Sequence, residues 1–191
     1  MKSSRDIALF GGSFDPPHLG HVAIIAHVLA TEAIDEVWVL PCFTHAFGKR
    51  MAPFELRLRM LEAAVAPFGG RARVEDIEAS LGGVSYTIDT VRALSLRHPD
   101  ARFSFVGGGD LRAELPKWKE PDALRALLRW IELPRRGVAR PDDDRPYLLP
   151  EVSSSDLRAR AGRGESIAAW VPRGVAALLA EETPYRHGSG Q

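Results

Sequence analysis

Short apolar runs alternate with longer amphipathic segments along most of the chain, and this alternation constrains the fold more than any other feature. Runs of four or five residues between polar or turn-forming positions are typical of buried strands, whereas apolar residues at three- and four-residue spacing are typical of helices. The predicted strands are 6–10, 36–40, 72–75, 102–106 and 130–133, and the predicted helices between them are 18–33, 54–66, 86–97 and 122–129. Such alternation favours right-handed crossovers, so the sequence predicts an α/β fold, a doubly wound, Rossmann-like parallel sheet with helices on both faces.

The last third of the chain follows a different pattern, because no further strand is predicted there. The segment SSSDLRARA begins a short helix, and a second helix is predicted over residues 172–180. We therefore expect a small C-terminal helical portion, one domain over residues 1–185 and a disordered tail over residues 186–191. The apolar stretch at 171–179 leaves room for a contact between subunits, so a homo-oligomer is one possible state of the protein.

Composition excludes several classes of partner. The 191 residues are 45% hydrophobic, enough for a sizeable core, and 25 basic residues balance 25 acidic ones. A neutral balance predicts neither a nucleic-acid nor a membrane partner, so any anion site must be local. The N-terminus lacks an apolar signal region, and the single cysteine, Cys42, excludes an internal disulfide. Together these features predict a cytoplasmic protein.

A glycine- and histidine-bearing segment, FGGSFDPPHLGH at residues 10–21, stands where the first strand gives way to a helix. Helix N-termini at this position of a doubly wound fold bind phosphates, yet the third glycine of the dinucleotide fingerprint is missing and the chain has no P-loop. His18 and His21 lie on one face of the helix, can donate to phosphate oxygens and can carry charge beside a polyanion. Gly20 leaves a gap where a flat ring could lie. The pattern suits a nucleoside triphosphate; the alternative is a capped helix start with surface histidines.

A second segment, VSSSDLR at residues 152–158, has the composition of a helix start that faces an anion. Ser154 or Ser155 is expected to cap this helix, and Arg158 points back from its first turns toward the same anion. The alternative is an ordinary capped helix. The presence of both segments in one chain favours the anion site.

These segments resemble the two signatures of the nucleotidyltransferase superfamily with the H-x-G-H motif. GGSFDPPHLGH is similar to the first signature, and VSSSDLR is similar to the second, I-S-S-T-x-I-R, with departures at its first, fourth and sixth positions. Over residues 6–185 the chain resembles the nicotinate-nucleotide adenylyltransferase family, whose further segments are matched by SYTIDTVRAL, FVGGGDL and LPKWKEPD. The resemblance implies one nucleotidyltransferase domain that transfers the adenylyl group of ATP to nicotinate mononucleotide, giving deamido-NAD and pyrophosphate in NAD biosynthesis.

The resemblance also implies roles for the matching residues. The catalytic residues would be His18, His21 and Arg158. The ATP-binding residues would be Gly11, Gly12, Ser13, Phe14, Gly20, Gly107, Asp110, Ser153, Ser154 and Ser155. The acceptor-binding residues would be His45, Lys49, Arg50, Tyr86, Thr87 and Trp118, with the Trp118 ring stacked on the pyridine. Mg²⁺ would be bound through the ATP phosphates, without protein ligands, because the sequence holds no carboxylate cluster that forms a metal cage.

One loop departs from the family pattern. Where the family carries a His-Lys or His-Arg pair that meets the acceptor phosphate, this chain has PCFTHAFGKRMAPFELR at residues 41–57, and His45 is separated from Lys49 and Arg50. This departure leaves other acceptors open, such as nicotinamide mononucleotide or phosphopantetheine. Cytidylyl transfer and a non-catalytic nucleotide-binding homologue are separate alternatives. The alternatives to a role in substrate binding are a surface aromatic at Trp118, an ordinary helix start at Tyr86 and Thr87, and a helix cap at Asp110.

Overall fold

A computed structural model describes residues 4–45, 48–108, 111–133, 150 and 152–185. The strands in these ranges are β1 (Arg5–Gly12), β2 (Glu36–Pro41), β3 (Ala72–Val74), β4 (Ala101–Gly108) and β5 (Arg129–Leu133). They form one sheet in the order β3-β2-β1-β4-β5, and every neighbouring pair is parallel. Each predicted strand is present, and the predicted doubly wound α/β fold is confirmed.

The helices connect the strands in the predicted order. They are α1 (Leu19–Thr31), α2 (Phe54–Val65), α3 (Ile77–Leu81), α4 (Thr87–Arg97), α5 (Leu111–Glu114), α6 (Pro121–Leu127), α7 (Ser154–Gly162) and α8 (Arg173–Glu182), with short 3₁₀ turns at Ala66–Arg71, Leu115–Lys117 and Ala168–Trp170. The four helices predicted between strands are confirmed as α1, α2, α4 and α6. Sequence reasoning missed α3 and α5, because five and four residues are too few to show a helical period.

The first strand is buried on both faces, so its side chains serve two separate clusters. Ile7 and Leu9, each 0% exposed, belong to the cluster that α3, α4 and α6 cover. Ala8 and Phe10 belong to the other, which α1 and α2 cover. Because successive side chains of a strand point to opposite faces, an unbroken apolar run such as IALF is what a sheet covered on both sides requires.

The C-terminal helices α7 and α8 pack against α2. Met60 and Val175, each 0% exposed, lie at the centre of the third hydrophobic cluster. A Cβ on Gly174 would lie 3.0 Å from the Cβ of Ala63, so α8 approaches α2 very closely. The predicted C-terminal helical portion is therefore present, and Val171 and Val175 are buried within the chain, which removes the sequence argument for a subunit contact there. The predicted tail, 186–191, lies outside the described residues.

The strand order places a reversal between β1 and β4. The chain moves from β1 through α1 to β2 on one side, whereas β4 pairs with the other side of β1. Ligands of such sheets bind beyond the carboxyl ends of the strands at this point. Among the helices of the described ranges, none combines the length and the apolar character that crossing a bilayer would need.

Candidate active site

A cavity of about 580 Å³ opens at the carboxyl ends of β1 and β4, where the strand order reverses. Its wall includes the predicted catalytic residue His21, the predicted ATP-binding residues Gly11, Gly12, Ser13 and Gly107, and the predicted acceptor-binding residues His45, Tyr86, Thr87 and Trp118. Members of each predicted set thus share one space, whereas His18, Arg158 and the serine run lie outside the cavity wall. Asp110 lies outside the described residues.

The first strand ends in two glycines because neighbouring aromatic rings leave no room for side chains. A Cβ on Gly12 would lie 3.1 Å from the Phe14 ring, and a Cβ on Gly11 would lie 3.3 Å from the Phe105 ring. Phe14 has a φ of +48° and is 2% exposed, so it packs beneath the cavity. Phe14 therefore shapes the site from below, whereas residues 11–13 line the cavity itself.

The two histidines begin α1 and stack on each other. His18 is the N-cap residue, and its ring centroid lies 3.7 Å from that of His21, with 22° between the ring planes. The backbone N–H of His18 donates to Nδ1 of His21 at 3.1 Å. Because a nitrogen that accepts carries no proton, this hydrogen bond assigns the hydrogen of His21 to Nε2. In this arrangement Nε2 is the nitrogen through which His21 can donate.

Gly20 does not leave the open gap that the sequence suggested. A Cβ at this position would lie 3.0 Å from two atoms of the His18 ring and 3.2 Å from Cγ1 of Val152. The space beside the helix is therefore filled by His18 and by the residue that begins the second motif. The missing side chain at Gly20 thus leaves room for the His18 ring, which is only 6% exposed.

The second motif docks onto the Asp-Pro-Pro turn of the first. Ser153 is the N-cap of α7, and its Oγ accepts from the backbone N–H of Asp156 at 3.1 Å. The expected cap at Ser154 or Ser155 is wrong by one or two positions. Ser154 is the first helical residue, and its hydroxyl donates to the carbonyl oxygen of Pro16 at 2.9 Å. The serine run thus caps the helix and also joins the two motifs.

Arg158 is anchored through two of its N–H groups. Nη1 donates to the carbonyl oxygen of Asp15 at 2.7 Å, and Nη2 donates to Oγ of Ser155 at 3.2 Å. A guanidinium has five N–H donors, so three have no partner within the described residues. The side chain is 24% exposed, which leaves these donors able to meet an anion.

A buried carboxylate that sequence reasoning did not single out joins several parts of the site. Asp15 is 0% exposed, and its Oδ1 accepts from the Tyr185 hydroxyl at 2.6 Å and from the Ala52 N–H at 3.3 Å. Arg57, 1% exposed, donates to the carbonyl oxygens of Ser13 at 2.9 Å and Ala52 at 3.1 Å. Asp15 and Arg57 therefore hold the loop after β1 against the segment that precedes α2.

The loop after β2 brings His45 and Lys49 to the site but leaves Arg50 in solvent. His45 lines the cavity, and burial lowers the pKa of its imidazole, with a smaller contribution from the charge of Lys49. Burial also lowers the pKa of Lys49, and the positive charge of Arg158 lowers it further. Arg50 is exposed. Of the three predicted loop residues, His45 thus lies in the cavity wall and Lys49 lies close enough to Arg158 for the two charges to interact.

Two aromatic residues predicted for the acceptor are held in the cavity wall by contacts around them. The Trp118 ring meets the Phe105 ring edge-on at 5.6 Å between centroids. Lys119 places its Nζ 4.9 Å from the centre of the Tyr86 ring and forms an ion pair with Asp89 at 2.8 Å. These contacts fix the Trp118 segment against the start of α4, so that both aromatic side chains line the same cavity.

Glu78 is a second residue of the wall that the sequence did not mark. Its Oε2 accepts from the backbone N–H of Phe43 at 3.1 Å, and its Oε1 accepts from the Thr90 hydroxyl at 3.2 Å. Burial raises the pKa of Glu78, and hydrogen bonds from Ser85, Phe43 and Thr90 oppose that shift. Glu78 connects the loop after β2 to α4, which form two walls of the cavity.

Comparisons with known proteins agree on one family. The family model described as "Cytidylyltransferase-like" matches residues 9–160. A protein of Anaeromyxobacter dehalogenans named "Probable nicotinate-nucleotide adenylyltransferase" is 42% identical over 189 residues, covering 97% of this chain and 100% of that protein. A protein of Myxococcus xanthus with the same name is 40% identical over 185 residues, with 97% of each chain covered.

A solved structure supports the fold. The structure of Plasmodium falciparum nicotinic acid mononucleotide adenylyltransferase complexed with NaAD superposes with a TM-score of 0.75, covering 95% of this chain and 97% of that chain. The two sequences are 18% identical. At this identity the likeness speaks for the fold alone, and it agrees with the parallel sheet described above.

Proposed function

This chain belongs to the nicotinate-nucleotide adenylyltransferase family, and from that premise we propose that it transfers the adenylyl group of ATP to nicotinate mononucleotide, giving deamido-NAD and pyrophosphate. One observation carries the proposal: a single cavity of about 580 Å³ is lined by residues expected to bind ATP and by residues expected to bind the acceptor. The first group comprises residues 11–13 and His21, and the second comprises Tyr86, Thr87 and Trp118. A transfer between two nucleotides requires both to be held in one space with the reacting atoms in contact.

The reaction is a single in-line displacement. An oxygen of the acceptor 5′-phosphate forms a bond to the α-phosphorus of ATP, and the bond from that phosphorus to the oxygen bridging the α- and β-phosphates breaks. Pyrophosphate leaves with the electron pair of the broken bond. No covalent enzyme intermediate is required, so the protein contributes by positioning and by neutralising charge.

The residues of the two motifs supply the donors for the ATP phosphates. His21 donates through Nε2, because its Nδ1 already accepts from the backbone N–H of His18. Arg158 has three N–H groups left for the phosphate chain after its bonds to Asp15 and Ser155. His18 stacks on His21 and fixes its ring. Donors aimed at the charge that develops in the transition state are the main source of acceleration in such sites.

Magnesium enters the reaction with its substrate, as the ATP complex. Across the described ranges, no group of three or more His, Cys, Asp or Glu side chains is placed to hold a metal ion. Mg²⁺ retains several waters and is commonly bound through substrate phosphates together with one or two protein groups at most. Bound through the ATP phosphates, the ion would neutralise charge on the leaving group.

The acceptor is held at its two ends. Lys49 and His45 bind its 5′-phosphate, since Lys49 lies within the field of Arg158, His45 lines the same cavity as His21, and a bound phosphate offsets the repulsion between Lys49 and Arg158. Trp118 stacks on the pyridine ring, and Tyr86 and Thr87 face the ring carboxylate at the start of α4. A helix N-terminus offers free backbone N–H groups to such an anion, which favours nicotinate over nicotinamide.

Measurement of pyrophosphate release from Mg-ATP tests the proposed acceptor. The panel comprises nicotinate mononucleotide, nicotinamide mononucleotide, phosphopantetheine and glycerol phosphate. We expect kcat/KM to be at least about tenfold higher for nicotinate mononucleotide than for any other acceptor, equivalent to about 1.4 kcal/mol of discrimination. A preference for phosphopantetheine would replace the proposed acceptor, and ATP binding without pyrophosphate release would favour the non-catalytic alternative.

The role of His21 is tested by its replacement. His21→Ala should lower kcat by about 10²-fold or more while the affinity for ATP changes little, because a well-placed donor acts chiefly on the transition state. His27→Ala is the matched control, since His27 lies on the same helix outside the cavity wall. A kcat for His21→Ala within about threefold of the control would exclude His21 from the transition state.

A further inference from the structure

Tyr185 connects the end of the described chain to the phosphate site through one buried carboxylate. Thr183 ends α8 with a φ of +42°, and the chain then turns so that the Tyr185 hydroxyl donates to Oδ1 of Asp15 at 2.6 Å. Burial and this hydrogen bond raise the pKa of Tyr185, so the hydroxyl remains protonated and acts as a donor. The contact joins residues 170 positions apart in the sequence.

The two oxygens of Asp15 are in different situations. Oδ1 accepts from Tyr185 and from the Ala52 N–H, whereas Oδ2 is buried and accepts no hydrogen bond from the described part of the chain. Oδ2 lies 3.8 Å from Nη1 of Arg158, which donates instead to the Asp15 carbonyl oxygen at 2.7 Å. The carboxylate and the guanidinium are therefore close but not hydrogen-bonded to each other.

This arrangement leaves the arginine open to a competing interaction. A carboxylate and a guanidinium form strong paired hydrogen bonds when they meet directly, particularly away from water. Such a pair with Asp15 would occupy the N–H groups that Arg158 needs for an external phosphate. The Tyr185 hydroxyl donates to Oδ1, whereas Oδ2 is the oxygen that lies 3.8 Å from Arg158. The hydrogen bond to Oδ1 therefore opposes rotation of the Asp15 carboxylate toward the guanidinium.

We propose that Tyr185 is a positioning residue for adenylyl transfer: its hydroxyl holds the Asp15 carboxylate away from a direct pair with Arg158, which keeps Arg158 available to the ATP phosphates. The proposal rests on the proposed function, because it takes Arg158 to be a phosphate ligand. Tyr185 itself touches no substrate. It acts through Asp15 on the orientation of one arginine.

A double-mutant cycle separates this role from simple support of the fold. Tyr185→Phe keeps the ring and removes the hydroxyl, and we expect it to lower kcat/KM for ATP about tenfold while KM for nicotinate mononucleotide stays within twofold. In an Arg158→Lys background, where the forked donor is missing, the same change should cost less than twofold. Glu182→Gln is the matched control, because it breaks another contact of the C-terminal segment, the exposed ion pair with Arg59, in which Asp15 takes no part. It should leave kcat/KM unchanged.

Several results would overturn the proposal. If Tyr185→Phe and Arg158→Lys reduce kcat/KM independently, the two residues are not coupled. If Glu182→Gln lowers kcat/KM as much as Tyr185→Phe does, the effect comes from anchoring the C-terminal segment. Thermal melts of each variant show whether folding is preserved.

Binding of a non-hydrolysable ATP analogue provides a readout that does not depend on the acceptor. If the wild-type chain releases no pyrophosphate with any acceptor, the proposed function fails. Coupling between Tyr185→Phe and Arg158→Lys in the Kd of the analogue would still support this inference, and unchanged Kd values would reject it.

Discussion

Replacement of Gly20 by alanine adds one methyl group between the His18 ring and the side chain of Val152. The added Cβ would lie 3.0 Å from Cε1 and from Nδ1 of His18, whereas ordinary contact begins at 3.4 Å. Because both atoms belong to one rigid ring, the ring must shift as a unit by about 0.4 Å or more. His18 is 6% exposed and is stacked on His21 at 3.7 Å, so its displacement is passed to His21.

The expected loss is in catalysis rather than in stability. Gly20 has a negative φ and lies in α1, where alanine is favoured over glycine by at most about 1 kcal/mol, so the strain at His18 is partly offset. A misplacement of about 1 Å at a reacting centre can cost about 10²-fold in rate. For the smaller shift worked out here, we expect Gly20→Ala to lower kcat about tenfold and to change Tm by less than about 3 °C.

Gly174→Ala provides a matched control for the added methyl group. Its Cβ would also meet a neighbour at 3.0 Å, but that neighbour is the Cβ of Ala63 between α8 and α2, away from the cavity. Overpacking there costs about 1–3 kcal/mol, so Tm should fall by several degrees while kcat is unchanged. Pyrophosphate release and thermal melts of both variants decide the matter. A wild-type kcat for Gly20→Ala would refute the argument that the His18 ring must stay where Gly20 allows it.

Three further changes test other parts of the site. Burial and the charge of Arg158 lower the pKa of Lys49 from its ordinary 10.5. The acceptor KM should therefore rise as the pH increases through the lowered pKa and Lys49 loses its charge. Lys49→Arg should abolish this rise, and equal pH profiles for the two proteins would contradict the role of Lys49. The raised pKa of Glu78 means that its ionisation destabilises the fold: stability is highest below the pKa of the unfolded state and falls as the pH rises through the folded pKa. The difference in Tm between Glu78→Gln and wild type should therefore shift in favour of the variant as the pH rises above 4.5, the ordinary pKa of a glutamate, and a constant difference would refute this. Trp118→Ala should raise the acceptor KM about tenfold with little change in KM for ATP, whereas Trp170→Ala, an exposed tryptophan outside the cavity, should change neither; equal effects would exclude stacking.

The fold could be predicted because its signals are local. Each strand is a short apolar run and each long helix an amphipathic segment, and the right-handed crossover then limits the topology. The places that failed lack such a signal. Residues 77–81 form α3, which is too short to show a period. In the run Ser153, Ser154 and Ser155, three equivalent side chains offer no means to choose the cap, which depends on where the backbone becomes helical.

The site was only partly predictable, because its supporting contacts are long-range. The resemblance placed His21, Tyr86, Thr87 and Trp118, and all four line the cavity. It could not place Asp15 against Tyr185, since nothing in either residue's neighbours indicates a contact across 170 positions. The expectation for Gly20 failed for a similar reason: a missing side chain marks a close approach, but the sequence does not say what approaches.

Basic side chains are concentrated around Asp15, although the chain as a whole has no net charge. Lys49, Arg57 and Arg158 surround this one buried carboxylate. Arg57 donates to the carbonyl oxygens of Ser13 and Ala52, and the Tyr185 hydroxyl donates to one oxygen of the carboxylate. Of these three cations, Lys49 and Arg158 are the two that the proposed function assigns to substrate phosphates. Burial lowers the pKa of Lys49, and the positive charge of Arg158 lowers it further. The proposed adenylyl transfer would bring two phosphate groups together, and this pair of cations would then supply one for each and lose its mutual repulsion.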